Sequence, residues 1–190
     1  MRKKRMFALL LALGLLLSLL TGCSGEQGGQ APETGESAEE LTDYEHSVGL
    51  SMKMAPGFTE TDIEGIMAGY EGEAANVRIE AERFDQLEAL GYAGEEMTAA
   101  EYGQLIRDAY GLEGEVAEDE YGTVFLPYSQ LVQEIEVSYY AFFHKGEDAF
   151  WTVTFMCFAE TADQLEGDFH LWASTVETGP APAAQAESEA

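Results

Sequence analysis

The residues from about position 44 onward predict an α+β domain: a mostly antiparallel sheet of about six strands with two helices packed against it. Three observations carry this. Short runs alternate apolar and polar side chains at period two, the mark of strands with one buried face. Two windows space their apolar residues at the helical period behind a Thr-x-x-Glu/Gln start. The strand runs meet through short turns, so hairpins dominate and the helices have a sheet to cover.

The elements follow in order. Val48 to Met54 places apolar residues at every second position, and Ala55-Pro56-Gly57 ends the run. A second strand, Ile66 to Tyr70, and a third, Ala75 to Phe84, flank Glu71-Gly72-Glu73-Ala74. In the third, Val77, Ile79 and Ala81 alternate with Arg78, Glu80 and Glu82, one buried face against one wet face. Thr98 and Glu101 form a capping box for a helix carrying Tyr102, Leu105, Ile106, Ala109 and Tyr110, closed by Gly111. A short strand near Thr123–Tyr128 is followed by a hairpin: Ile135 to His144, the turn Lys145-Gly146-Glu147-Asp148, and Ala149 to Phe158. Thr161 and Gln164 read as a second capping box. Leu165, Phe169, Trp172 and Val176 form the inward stripe of the last helix.

Ahead of this domain the chain reads as an export leader. Met1-Arg2-Lys3-Lys4-Arg5 is basic, and the run from Met6 to Leu20 is apolar apart from Gly14 and Ser18. It falls short of the roughly 20 apolar residues a membrane-spanning helix needs. It ends Leu20-Thr21-Gly22-Cys23, which resembles the lipobox of bacterial lipoproteins. In that family the matching cysteine carries a diacylglyceryl thioether and becomes the first residue of the mature chain. The resemblance implies a signal peptide over 1–22, lipid on Cys23, and a chain held at the extracytoplasmic face of a cell membrane. Two acyl chains suffice for stable anchoring. Residues 23–43 then form a polar, acidic tether without apolar period, expected to be disordered with a typical span of ~25 Å. Residues 44–178 are the domain, and 179–190, rich in Ala, Pro and Glu, are expected to be a disordered tail.

The charge excludes several functions. The formal net charge is −27. Beyond the leader, five basic residues face 36 acidic ones, a formal charge near −31. Nucleic-acid binding needs clustered cations and is excluded. Adsorption to anionic lipid is disfavoured as well, which leaves lipid on Cys23 as the membrane hold. With Cys23 acylated, Cys157 has no disulfide partner; inside the apolar run Val153 to Phe158 it reads as a small buried hydrophobe.

The element order supports a second resemblance. It is carried by Met54-Ala55-Pro56-Gly57-Phe58, Glu101-Tyr102, the aromatic strands Tyr139 to Phe143 and Phe150 to Phe155, and the closing Phe169 to Val176. Over residues 45–178 this is similar to PsbP-like domains, a group that includes small bacterial lipoproteins. The resemblance implies an α/β/α sandwich around a central antiparallel sheet. It also implies a binding or assembly module with no shared catalytic residues, and no cofactor is expected.

No catalytic motif stands out. His46, His144 and His170 have no metal-ligand spacing, and no nucleophile elbow, Walker loop or zinc-helix motif is present. The acidic loop Glu113, Glu115, Glu118, Asp119 and Glu120 is the candidate for a metal, since Ca²⁺ takes six to eight oxygens; the EF-hand order is absent. The aromatic run from Tyr139 to Phe143 points large side chains to both faces of one strand. It is either a covered central strand or an exposed groove for a peptide, glycan or small ligand, and burial of Tyr140 and Phe142 under a helix decides for the former. The leading expectation is a non-enzymatic, membrane-anchored binding or assembly module with a protein partner in the cell envelope. The alternatives are a ligand or Ca²⁺ binding protein in envelope transport or stress response, and a hydrolase with a dispersed site.

Overall fold

A computed structural model of the chain describes residues 41–46, 48–61 and 68–182, all within the unit spanning residues 39–190. The leader, Cys23 and the expected tether up to residue 40 lie outside the described residues, as do residues 183–190. No helix among the described residues is long and apolar enough to cross a membrane.

Among the described residues, ten strands and three α-helices follow in chain order: β1 Thr42–His46, β2 Leu50–Met54, β3 Thr59–Thr61, β4 Ala68–Glu71, β5 Asn76–Arg83, α1 Phe84–Ala89, α2 Ala99–Tyr110, β6 Ala117–Glu118, β7 Val124–Val132, β8 Ile135–Lys145, β9 Ala149–Phe158, α3 Ala162–Ala173 and β10 Glu177–Thr178. Seven strands form one sheet in the order β3-β4-β5-β9-β8-β7-β6; β1, β2 and β10 form a second, with β2 in the middle. Every pairing is antiparallel.

The central strands explain themselves by burial. Nine of the ten positions of β9 run apolar or hydroxylic and lie buried or nearly so, because both faces of this strand are covered. On one face Trp151, Val153 and Phe155 join Val77, Ile79, Tyr140 and Phe142 under Phe169 and Trp172 of α3 and under Met52 and Met54 of β2. On the other, Phe150 and Phe143 join Leu126 and Ala141 under Tyr102 of α2, with Phe84 and Leu87 of α1. Tyr102 stacks on Phe150 at 4.4 Å and meets Phe143 edge-on at 5.7 Å, geometries worth ~1 kcal/mol each beyond burial. The expected sandwich, with helices on both faces of an antiparallel sheet, is present.

Several details differ from the sequence expectation. The sheet has seven strands, and the three-stranded sheet is additional. β1, β3, β6 and β10 are short and polar, so their sequences show no alternation. Thr42 and Asp43, expected in the tether, pair with Met54 and Lys53. Residues 179–182, expected in a disordered tail, are packed. Gly179 N–H donates to Gly49 O at 2.6 Å, Ala181 N–H to Asp148 Oδ1 at 2.9 Å, and Ala181 is buried. The run read as a strand to Phe84 turns into α1 at that residue, where Gln86 Oε1 accepts from Arg83 N–H at 3.0 Å.

The first capping box forms as expected. Thr98 Oγ1 accepts from Glu101 N–H, Glu101 Oε2 accepts from Thr98 N–H, and Gly111 closes α2 at φ 65°. The second does not. Thr161 makes no side-chain cap; its hydroxyl donates to Phe158 O, because the 3-10 turn Ala159–Thr161 has already begun the winding. Val176 lies past the end of α3 but still packs on the core.

Candidate interaction surface

The acidic segment after α2 is folded against the sheet. At Gly114 an added Cβ would sit 2.0 Å from Pro127 O, so only glycine lets the loop run this close to β7. β6 then pairs with Val124 and Phe125. Asp119 closes the turn into β7: its Oδ1 accepts from Tyr121 N–H at 3.0 Å and Thr123 N–H at 2.8 Å, and its Oδ2 lies 2.7 Å from His170 Nδ1 on α3. Its side chain is 5 % exposed. Glu113, Glu115, Glu118 and Glu120 instead face solvent. Among the described residues no group of three or more His, Cys, Asp or Glu side chains is arranged to hold a metal ion. Asp119 is committed to the loop turn and to His170.

The histidines sit in three separate settings. His46 Nε2 lies 2.6 Å from Glu60, while its Nδ1 accepts from Val48 N–H. His170 makes the pair with Asp119 and stands edge-on to Phe125 and Phe142. His144 faces Trp151 across the β8–β9 register, and its Nε2 and Trp151 Nε1 are both shut off from solvent without a hydrogen-bond partner. Burial pushes the His144 ring down to about 4, which keeps it neutral. Cys157 is buried as expected, and burial raises its thiol.

The aromatic groove is overturned. Phe142 is fully buried, Tyr140 nearly so, and Phe169 of α3 packs on Tyr140 at 5.5 Å. Those side chains are core. The opposite face of the same strand is different. Tyr139 stacks flat on Tyr128 at 4.9 Å, at the margin of the cluster covered by α2. From there toward the β7–β8 turn, alternation places Val137, Ile135 and Val132 on this face, with Phe158 opposite Val137 on β9. Ile135 is 40 % and Phe158 39 % exposed. On the reverse face Leu131 is 76 % exposed. The hairpin end is therefore an apolar projection that neither α2 nor α3 reaches. Its two-residue turn, Gln133-Glu134, holds both residues at positive φ, 51° and 70°, as a tight primed turn demands.

Sequence reasoning missed this surface. It placed only a short strand near Thr123–Tyr128, whereas β7 runs on to Val132. The usable signal was the pair of apolar residues Val132 and Ile135 around a two-residue connection, which extends the strand on both sides.

No family model and no curated protein matches the chain. Among solved structures it is similar to the Ran-binding protein Mog1p of Saccharomyces cerevisiae, with TM-score 0.50 and 9 % identity over 74 % of this chain and 96 % of that one. It is also similar to cyanobacterial PsbP from Synechocystis, with TM-score 0.49 and 15 % identity over 80 % and 98 %, and to LpqN, involved in cell envelope biogenesis of Mycobacterium tuberculosis, with TM-score 0.42 and 8 % identity over 74 % and 91 %. At such identities a likeness speaks for fold alone, and the match to Mog1p carries it. The chain thus has a mixed α+β fold, one large antiparallel sheet with helices on both faces.

Proposed function

We propose that this protein is a non-enzymatic binding or assembly module that works while held by lipid on Cys23 at the extracytoplasmic face of a membrane. The observation that carries the binding reading is the uncovered hairpin end, where Ile135, Phe158 and Leu131 remain exposed although the middle of β8 and β9 is buried on both faces. Exposed apolar groups grouped at one end of a sheet mark an interaction site more often than a folding accident. The membrane reading rests on the basic leader and on Leu20-Thr21-Gly22-Cys23. The similarity to LpqN and PsbP supplies no argument about the partner.

The two halves of the proposal separate in one experiment on the full chain, expressed in a bacterium that processes lipoproteins. Cys23→Ala should move the protein from the membrane to the soluble fraction, and mass spectrometry of wild type should find Cys23 acylated. Ile135→Glu with Phe158→Glu should leave the protein on the membrane and folded, yet abolish its migration in a larger native complex. A wild-type chain that stays with the membrane on an unmodified Cys23 sinks the tether reading; an unchanged complex in the double variant sinks the surface reading.

A further inference from the structure

We infer that the outer edge of β7, at Ser129 and Leu131, takes an extended cationic peptide as an added antiparallel or parallel strand. This deepens the binding-module reading and rests on it. The two-residue turn makes Val132 and Ile135 the closing hydrogen-bonded pair of the hairpin. Counting back by two, Gln130 with Val137 and Tyr128 with Tyr139 are the next pairs bonded across to β8. Residues 127, 129 and 131 then turn their backbone groups away from β8. Pro127 fits that position because it has no N–H to offer, and its carbonyl is the atom that Gly114 approaches. β6 covers only Val124 and Phe125. Among the described residues no strand or loop pairs with the outward groups of Ser129 and Leu131. An unpaired edge of this kind is a template for another strand. Natural edges are blunted by lysine, bulges or inward charges, and β7 carries none of these between Tyr128 and Val132.

Charge selects the occupant. Between Arg107 and Lys145 every charged side chain is a carboxylate, eight in all. Glu113 and Glu115 flank Gly114 on the loop along β7, Glu134 sits in the turn, and Glu136 beside it is opposite Leu131 in register. A strand with Lys or Arg at alternate positions meets this rim favourably, while its other side chains meet Leu131 on one face or Val132 and Ile135 on the other. A second copy would bring the same carboxylates and a formal charge of −27 against each other. Residues 24–43 and 183–190 carry carboxylates and no Lys or Arg, so they too are repelled.

The test uses the full chain with three synthetic octapeptides: alternating Lys-Val, alternating Glu-Val, and the Lys-Val peptide with proline at its centre. Amide NMR shifts report the site, and titration gives the affinity. The Lys-Val peptide should shift Ser129 and Leu131 amides, weaken with added salt, and bind about tenfold tighter than the proline peptide, the effect of losing one to two backbone hydrogen bonds. The Glu-Val peptide should not bind. Leu131→Pro removes an outward N–H and should cost about the same tenfold; Glu136→Lys, which leaves the backbone intact, should also weaken the Lys-Val peptide. Equal binding of the two charge types, or shifts confined to Val137 and Phe158 with Leu131→Pro silent, overturns the strand-addition proposal while the apolar-surface reading survives. Shifts at Ser129 and Leu131 that depend on protein concentration and grow with salt assign the edge to a second copy and overturn the cationic partner.

Discussion

Asp119 shows how the fold supplies partners that a residue's sequence neighbourhood does not reveal. It stands in a run of carboxylates, which suggests a hard cation. In the fold its two oxygens go to two turn amides and to His170, 51 residues away. That separation is set by tertiary packing of α3 against the start of β7, and no local pattern encodes it. His144 is a similar case. Its strand position was legible, but its loss of all partners for Nε2 depends on Trp151 across the register. The consequence is testable. The ordinary histidine value of 6.5 is lowered to about 4 by burial, so the folded state binds the proton later than the unfolded state. The stabilisation is complete above pH 6.5, declines as pH falls, and is gone below pH 4. Relative to His144→Gln, wild type should lose on the order of 3 kcal/mol more between pH 7 and pH 4 in chemical denaturation. Parallel pH profiles for the two proteins contradict a neutral buried ring.

At the scale of elements, strong periodicity was legible and short polar pieces were not. β5, α2, β8 and β9 lie within a residue or two of their expected bounds, because each buries a full face or stripe. β1, β3, β6 and β10 are held by pairing to neighbours rather than by their own pattern. The two Thr-led helix starts look alike in sequence and differ in structure. Thr98 caps α2 through both arms of a capping box, whereas Thr161 Oγ1 is turned back to Phe158 O. Thr98→Ala should therefore cost about 1 kcal/mol, and Thr161→Ala should lower stability by less, since one neutral hydroxyl bond at an exposed site is lost. Equal losses in urea denaturation would show that the cap at Thr98 contributes nothing special. The candidate surface lies on the part of β7 beyond Tyr128, which the expected strand did not reach. Pro127 looks like a terminator, and only the register with β8 shows that it occupies an edge position that needs no N–H.

For the whole molecule, the sheet buried on both faces accounts for the sequence's aromatic content, and it leaves one end open. The core is built from two clusters on either side of β8 and β9, so most large side chains are engaged in holding the fold. Of the large apolar side chains left exposed, Leu131, Ile135 and Phe158 gather near the β7–β8 turn, at the opposite end of β8 from Lys145 and α1, while Leu90, Tyr92, Tyr110, Tyr121 and Leu171 lie elsewhere. Acidic charge surrounds the turn. The proposed lipid tether rests on the leader alone, and the domain's share of the work has no such local signal, because an interaction surface depends on which faces the helices leave uncovered. The most direct test is site-specific photo-crosslinking from the full chain in an intact cell envelope, with the photoreactive side chain placed at Phe158 or, as a control, at Tyr92, which is equally exposed at 39 % but lies beyond α1. The account predicts a discrete protein adduct from position 158 and none from position 92. Adducts of equal yield from both positions, or from position 92 alone, would contradict it.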